Sequence, residues 1–135
     1  MASFLSPLRN ADASGFVLRN QRTGAVVAHQ LLPAFDSATR NAGLLGRHSL
    51  DPGTAMIIAP TNAVHTFFMR FPIDIAFVRK DGCILKLRDG LPAWRLAAAW
   101  GAYAVVEMAA GSFEVAGTGT GDRLAVERPE PAVGA

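Results

Sequence analysis

The hydrophobic positions of this chain fall into short runs separated by turn residues. Gly15 to Arg19 (G-F-V-L-R) and Ala25 to Leu32 (A-V-V-A-H-Q-L-L) read as two strands, with N-Q-R-T-G as a hairpin loop between them. The period then changes. Phe35, Ala38, Ala42 and Leu45 recur at helical spacing, Asp36 or Ser37 can cap, and Gly46 can stop the turn sequence. These features predict one main helix over about 35–46. D-P-G at 51–53 is a turn, and T-A-M-I-I-A at 54–59 is a buried strand closed by Pro60.

Residues 64–74, V-H-T-F-F-M-R-F-P-I-D, put a histidine, an arginine and an aspartate into an apolar, strand-like run. Thr66, Phe68 and Arg70 alternate with Phe67, Met69 and Phe71, and Pro72 implies a bend or a sheet edge. Ile73 to Val78 is the next strand. K-D-G at 80–82 is the clearest hairpin signal, with Cys83 to Arg88 returning beside it. Residues 89–102 read as a loop with a short helical turn. A strand over Tyr103 to Met108, a brief helix around A-A-G-S-F-E-V-A-G, a T-G-T-G-D turn and a last strand over Arg123 to Glu127 complete the pattern.

About nine strands and one helix make an α+β fold, mostly β. The short connections favour a compact antiparallel sandwich or distorted barrel with the main helix packed on it. The expected body is a single domain over 15–128, with loose termini at 1–14 and 129–135.

Composition narrows the function more than it defines it. With 135 residues, 50% of them hydrophobic and 18% charged, the chain can bury a core without crosslinks. A formal net charge of +2 gives no ground for a nucleic-acid partner. The single cysteine, Cys83, excludes an internal disulfide and a Cys-rich metal site. Apolar runs such as Leu96 to Trp100 are too short to span a bilayer, and the N-terminus lacks a signal-peptide pattern. The expectation is a cytoplasmic protein with neither membrane nor nucleic acid as partner.

Candidate chemistry centres on a few polar groups. His65 suits a general base or a metal ligand, but His29 and His48 lie far off without ligand spacing, so no metal and no cofactor is expected. The plain alternative is a hydrogen-bonded histidine on a strand. Asp74, if buried, needs a partner, and Arg70 and Arg47 are the candidates, either to orient a ligand or to brace the helix end. Glu107, mid-strand, would make a carboxylate pair with Asp74 if the two converge. Trp94-Arg95, after Pro92, suits stacking on a sugar or base, or else plugs one end of the sheets. G-T-G-T-G-D at 117–122 precedes a strand and has no lysine, so it reads as a turn and not as a phosphate loop.

An ordered set of short motifs adds a resemblance. Ala42-Gly43-Leu44-Leu45-Gly46-Arg47, His65 to Asp74, Phe77-Val78, Asp81-Gly82, Pro92-Ala93-Trp94-Arg95, Val105-Val106-Glu107 with Ala110-Gly111, and Gly121-Asp122 together resemble the small bacterial and archaeal family called domain of unknown function 192. The resemblance spans roughly 15–127. It implies a compact, mostly β fold with a packed helix, and no established reaction. Many relatives have W-M-K-N-T-x-I-P-L-D where this chain has F-F-M-R-F-P-I-D. Arg70 and Asp74 match the basic and acidic positions, while the tryptophan and the asparagine-threonine pair are missing. Many relatives also look exported, whereas this chain shows no leader.

Two functional readings follow. The first is a non-enzymatic binding or accessory domain with one polar cleft for a small anionic or sugar-like ligand, lined or braced by Arg47, His65, Arg70, Asp74, Trp94 and Arg95. The second is a small hydrolase or lyase with Asp74 or Glu107 acting alongside His65 as acid and base.

Overall fold

The computed structural model describes residues 2–9 and 12–129. Two sheets and a ribbon organise the chain. A five-stranded sheet runs β3-β4-β9-β6-β7, built from β3 (Gln30–Ala34), β4 (Thr54–Ile58), β6 (Ile73–Val78), β7 (Ile84–Leu91) and β9 (Ala104–Ala109). A three-stranded sheet runs β10-β1-β2, from β1 (Val17–Asn20), β2 (Val26–Ala28) and β10 (Leu124–Glu127). The ribbon pairs β5 (Ala63–His65) with β8 (Leu96–Ala98). Two short helices, α1 (Ser37–Ala42) and α2 (Ser112–Val115), lie between strands. The fold is α+β and mostly β, and the sheets stay open instead of closing into a barrel.

Both faces of the large sheet are covered, which explains why β4 and β6 are buried at every position. One face carries Leu31, Ala55, Ile57, Ala76, Val106 and Met108 against the small sheet and Phe113. The other carries Met56, Ile58, Ile75, Phe77 and Val105 against Leu44, Leu50, Met69 and Ala97. Each such large side chain removed from water contributes about 1.5–3 kcal/mol, so these two layers hold the fold.

Several departures from the sequence reading have clear causes. The run 25–32 is not one strand. The chain changes sheet at His29, where the His29 and Gln30 N–H groups both donate to the Gly53 carbonyl. Gly53 sits at φ +82°, and a Cβ there would come within 2.2 Å of the His29 ring, so only glycine fits this crossing. β3 then pairs parallel with β4, the one parallel pair beside the antiparallel pairs expected. Such pairing needs a crossover, and α1 supplies it.

The helix is shorter than 35–46. Asp36 caps it by accepting from the Thr39 N–H at 2.8 Å, and Gly43 (φ 47°) ends it. The break shifts the phase, so Leu44 turns inward while Leu45 and the whole of α1 stay out of the buried core. The alternation over 66–71 is a turn instead of a strand, with the Met69 N–H donating to the Thr66 carbonyl. Residues 96–98, expected in a loop, form β8. Leu5 and Leu8 pack into the core, so the packed body starts ahead of residue 15. The tail expected to be loose lies, beyond Pro129, outside the described residues.

Candidate functional site

β-strand geometry separates the two central carboxyl groups. In the β6–β9 register Asp74 lies opposite Met108, whereas Glu107 lies opposite Ile75. Residues paired across a ladder share a face and neighbours along a strand alternate. Asp74 therefore faces the layer of Met108 and Phe113, and Glu107 the opposite layer of Met56 and Ile75. The sheet itself stands between them, and no carboxylate pair forms.

Asp74 is fully buried and satisfied by the backbone. Its Oδ1 accepts from the Gly90 N–H at 2.8 Å and its Oδ2 from the Phe113 N–H at 3.3 Å. It ties β6 to the end of β7 and to the first turn of α2. The expected pairing of Asp74 with Arg70 or Arg47 does not occur. Arg70 is exposed, with Nη1 3.2 Å from Nδ1 of His48. Arg47 is exposed and borders a separate hollow with Ser49 and Asp51.

Glu107 differs. It is buried on the central strand, and burial pushes its carboxyl up to about 7, with no charge or hydrogen bond offsetting the lost hydration. No buried side-chain atom among the described residues is wholly cut off from both solvent and partners. The carboxyl instead reaches a cleft of about 470 Å³ between the α1 end and β5. Leu44, Leu45, Ile58, Val64 and Met69 make apolar walls, and Arg40, Asn41, Thr61 and His65 supply polar groups. His65 Nδ1 accepts from the Phe67 N–H at 3.2 Å, which leaves Nε2 to carry the ring proton.

Of the six residues expected to line a site, the cleft includes only His65. Trp94 and Arg95 are exposed in the turn before β8. Trp94 stacks on Phe67 at 5.8 Å between ring centroids and meets Phe68 at 4.6 Å; Phe67 in turn stacks on His65 at 5.0 Å. The turn is pinned by Thr66, whose hydroxyl donates to the Pro92 carbonyl at 2.7 Å and accepts from the Arg95 N–H at 2.9 Å. Trp94 therefore does not plug an end of the sheets.

Sequence reasoning missed Arg40 and Asn41, exposed-looking residues of a helix, and placed Glu107 either in a pair with Asp74 or beside His65. A lone acid within V-V-E-M-A was the available signal. It also missed a brace at the other end of the fold. Asp122 accepts from Asn20 Nδ2 at 2.9 Å, from the Gly119 N–H at 2.9 Å and from Arg22 through both oxygens. The Arg22 guanidinium holds the Asp122 carboxyl well below the usual range. No group of three or more His, Cys, Asp or Glu among the described residues is placed to hold a metal ion. No described helix is long and apolar enough to cross a membrane.

Two solved structures resemble the chain at fold level. One is a protein of Sinorhizobium meliloti provisionally assigned as a transcription regulator, with a TM-score of 0.68 and 21% identity, covering 81% of this chain and 89% of its own. The other is a protein of unknown function from Novosphingobium aromaticivorans, with a TM-score of 0.69 and 23% identity, covering 81% of each chain. No curated protein matches the chain significantly. The family model described as an uncharacterized ACR matches residues 18–126, nearly the whole packed body. The chain belongs to this family, domain of unknown function 192.

Proposed function

We propose that the chain is a small-molecule-binding domain whose ligand enters the cleft between α1 and β5 and hydrogen-bonds to Glu107. One observation supports this reading above the rest. Glu107 is a buried carboxyl with no hydrogen-bond or ion-pair partner among the described residues, and it reaches a cavity. A group that costs stability and is left unsatisfied is suited to a ligand. Of the two ligand classes considered, the acid on the cleft floor disfavours an anion and favours a neutral, hydroxyl-bearing, sugar-like molecule. Its hydroxyls would meet Glu107, Asn41, Thr61 and His65, and its C–H face the apolar wall. Arg47, Arg70, Asp74, Trp94 and Arg95 have no part in this site.

Ligand-observed NMR of the full chain against mono- and disaccharides, with small carboxylates as controls, tests the reading. Saturable sugar signals that vanish in Glu107→Leu are expected. Equal signals in that variant, or none in the wild type, would overturn the proposal.

A second reading has one specific support, since Glu107, held near neutral pH, and His65 line the same cleft. They would act as acid and base on a bound sugar-like substrate. It predicts turnover that Glu107→Gln abolishes while binding persists.

A further inference from the structure

The β5–β8 ribbon presents an outward face, of which the cleft touches only Ala63 and His65 on β5. Ala63 pairs with Ala98 and His65 with Leu96, and all four are exposed, while Val64 and Ala97 between them turn inward. Beyond His65 and Leu96 the two chains run into the turns that hold Phe68 and Trp94. Phe68, Trp94 and Leu96 are 68%, 56% and 70% exposed, high values for large apolar groups, and the Phe68 and Trp94 rings meet.

The backbone holds the two rings there against its own preference. Phe68 (φ 65°) and Trp94 (φ 66°) are the only described residues other than glycine with positive φ. An L-residue in that region is disfavoured, because its Cβ crowds the following carbonyl oxygen. The rings meet each other, and Trp94 also meets Phe67, but both remain more than half exposed.

Charge completes the picture. Between Asp51 and Asp74, and again between Asp89 and Glu107, the sequence has no acidic residue. Around the patch the Arg95 Nη1 donates to the Trp94 carbonyl at 3.4 Å, Arg70 follows Phe68 by two residues, and Lys86 Nζ donates to the Ala98 carbonyl at 2.9 Å. Aromatic tips, an aliphatic side chain and nearby cations form the composition that suits a bilayer interface with anionic headgroups. A nucleic acid fits less well, because three cations give few phosphate contacts and the formal net charge is only +2. A two-fold dimer through the patch would oppose its own arginines.

We propose that the Phe68–Trp94–Leu96 face is a peripheral membrane-docking surface that inserts its rings into the interface of an anionic bilayer, with Arg70 and Arg95 on the headgroups. It is a surface contact and requires no spanning segment. It is independent of the sugar-binding reading of the cleft.

Co-sedimentation of the full chain with phosphatidylcholine vesicles, with and without phosphatidylglycerol, tests it. The wild type is expected to pellet with the anionic vesicles, less so as salt rises, and with a blue shift of Trp94 emission in a Trp100→Phe background. Phe68→Ser and Trp94→Ser should each lower partitioning about tenfold or more, the scale of one large apolar group withdrawn from water. Unchanged unfolding midpoints would show that these variants still fold. The salt and lipid dependence of the wild type tests the proposal even where they do not. No pelleting with either vesicle, equal pelleting of the variants, or capture of a single-stranded oligonucleotide instead of vesicles would overturn it.

Discussion

Asp74 and Glu107 occupy neighbouring central strands, one residue apart in register, and both are withdrawn from water. On one face of the sheet Asp74 receives two backbone N–H groups and joins three elements. On the other, Glu107 receives none from the described residues and opens onto a cleft. The same chemical group at the same depth thus serves opposite ends. The satisfied carboxyl is part of the architecture. The unsatisfied one weakens the architecture, and its retention points to a role outside it.

The largest effect is expected at Asp74. Asp74→Ala leaves the Phe113 N–H without an acceptor in the core and takes a partner from the Gly90 N–H at the surface. At roughly 1–3 kcal/mol for the buried donor and about 1 kcal/mol for the exposed one, the expected loss is about 3 kcal/mol in urea unfolding. A loss below about 1 kcal/mol would deny the bracing role.

Glu107→Gln should act in the opposite direction and only at higher pH. The folded carboxyl titrates at about 7, above its ordinary 4.5, so the folded state holds its proton longer than the unfolded chain. Below about pH 4.5 both states are protonated and Glu107 costs nothing through ionisation. As pH rises through 7 the wild type loses stability, up to about 3 kcal/mol at 1.36 kcal/mol per unit. The variant should therefore gain by about that amount at pH 8 and by almost nothing at pH 4. Equal gains at both pH values would remove ionisation from the explanation.

Asp122 sharpens the contrast as a second satisfied acid. Asp122→Ala should cost about 2 kcal/mol, because Asn20 and the Gly119 N–H lose their acceptor. Its lowered pKa reverses the pH sense. The stabilisation is present above the ordinary carboxylate range and is lost as pH falls through it, so acid unfolding of the variant should be flatter. The smallest effect is expected at Phe68→Gly. Relief of the left-handed backbone offsets the lost ring contact, and stability should move by less than about 1 kcal/mol.

The strands 54–58, 73–78 and 104–109 were legible because continuous apolar runs bounded by Pro, Gly and charged turns have few other uses. The K-D-G hairpin was legible for its turn chemistry. The break at His29 was not, since nothing in A-V-V-A-H-Q-L-L marks a change of sheet; its cause is a contact with Gly53, over twenty residues away. The phase slip at Gly43 was hidden for a related reason. A stripe of Phe35, Ala38, Ala42 and Leu45 fits a longer helix equally well, and only the packing of Leu44 decides. The site was less legible still. His65 was found by its oddity in an apolar run. Arg70 and Asp74 drew notice for the same oddity but face solvent and the backbone. The opposition of Asp74 and Glu107 depends on the β6–β9 register, which pairs residues over thirty positions apart.

Ligand binding in the cleft depends on Glu107 being buried at its floor without a partner among the described residues. Carbon-13 NMR titration of its side-chain carboxyl, assigned by comparison with Glu107→Gln, measures this directly. A midpoint near 7 is the predicted result. A midpoint at the ordinary 4.5 would mean that the carboxyl is hydrated or paired, and the case for a ligand-binding cleft would fall with it.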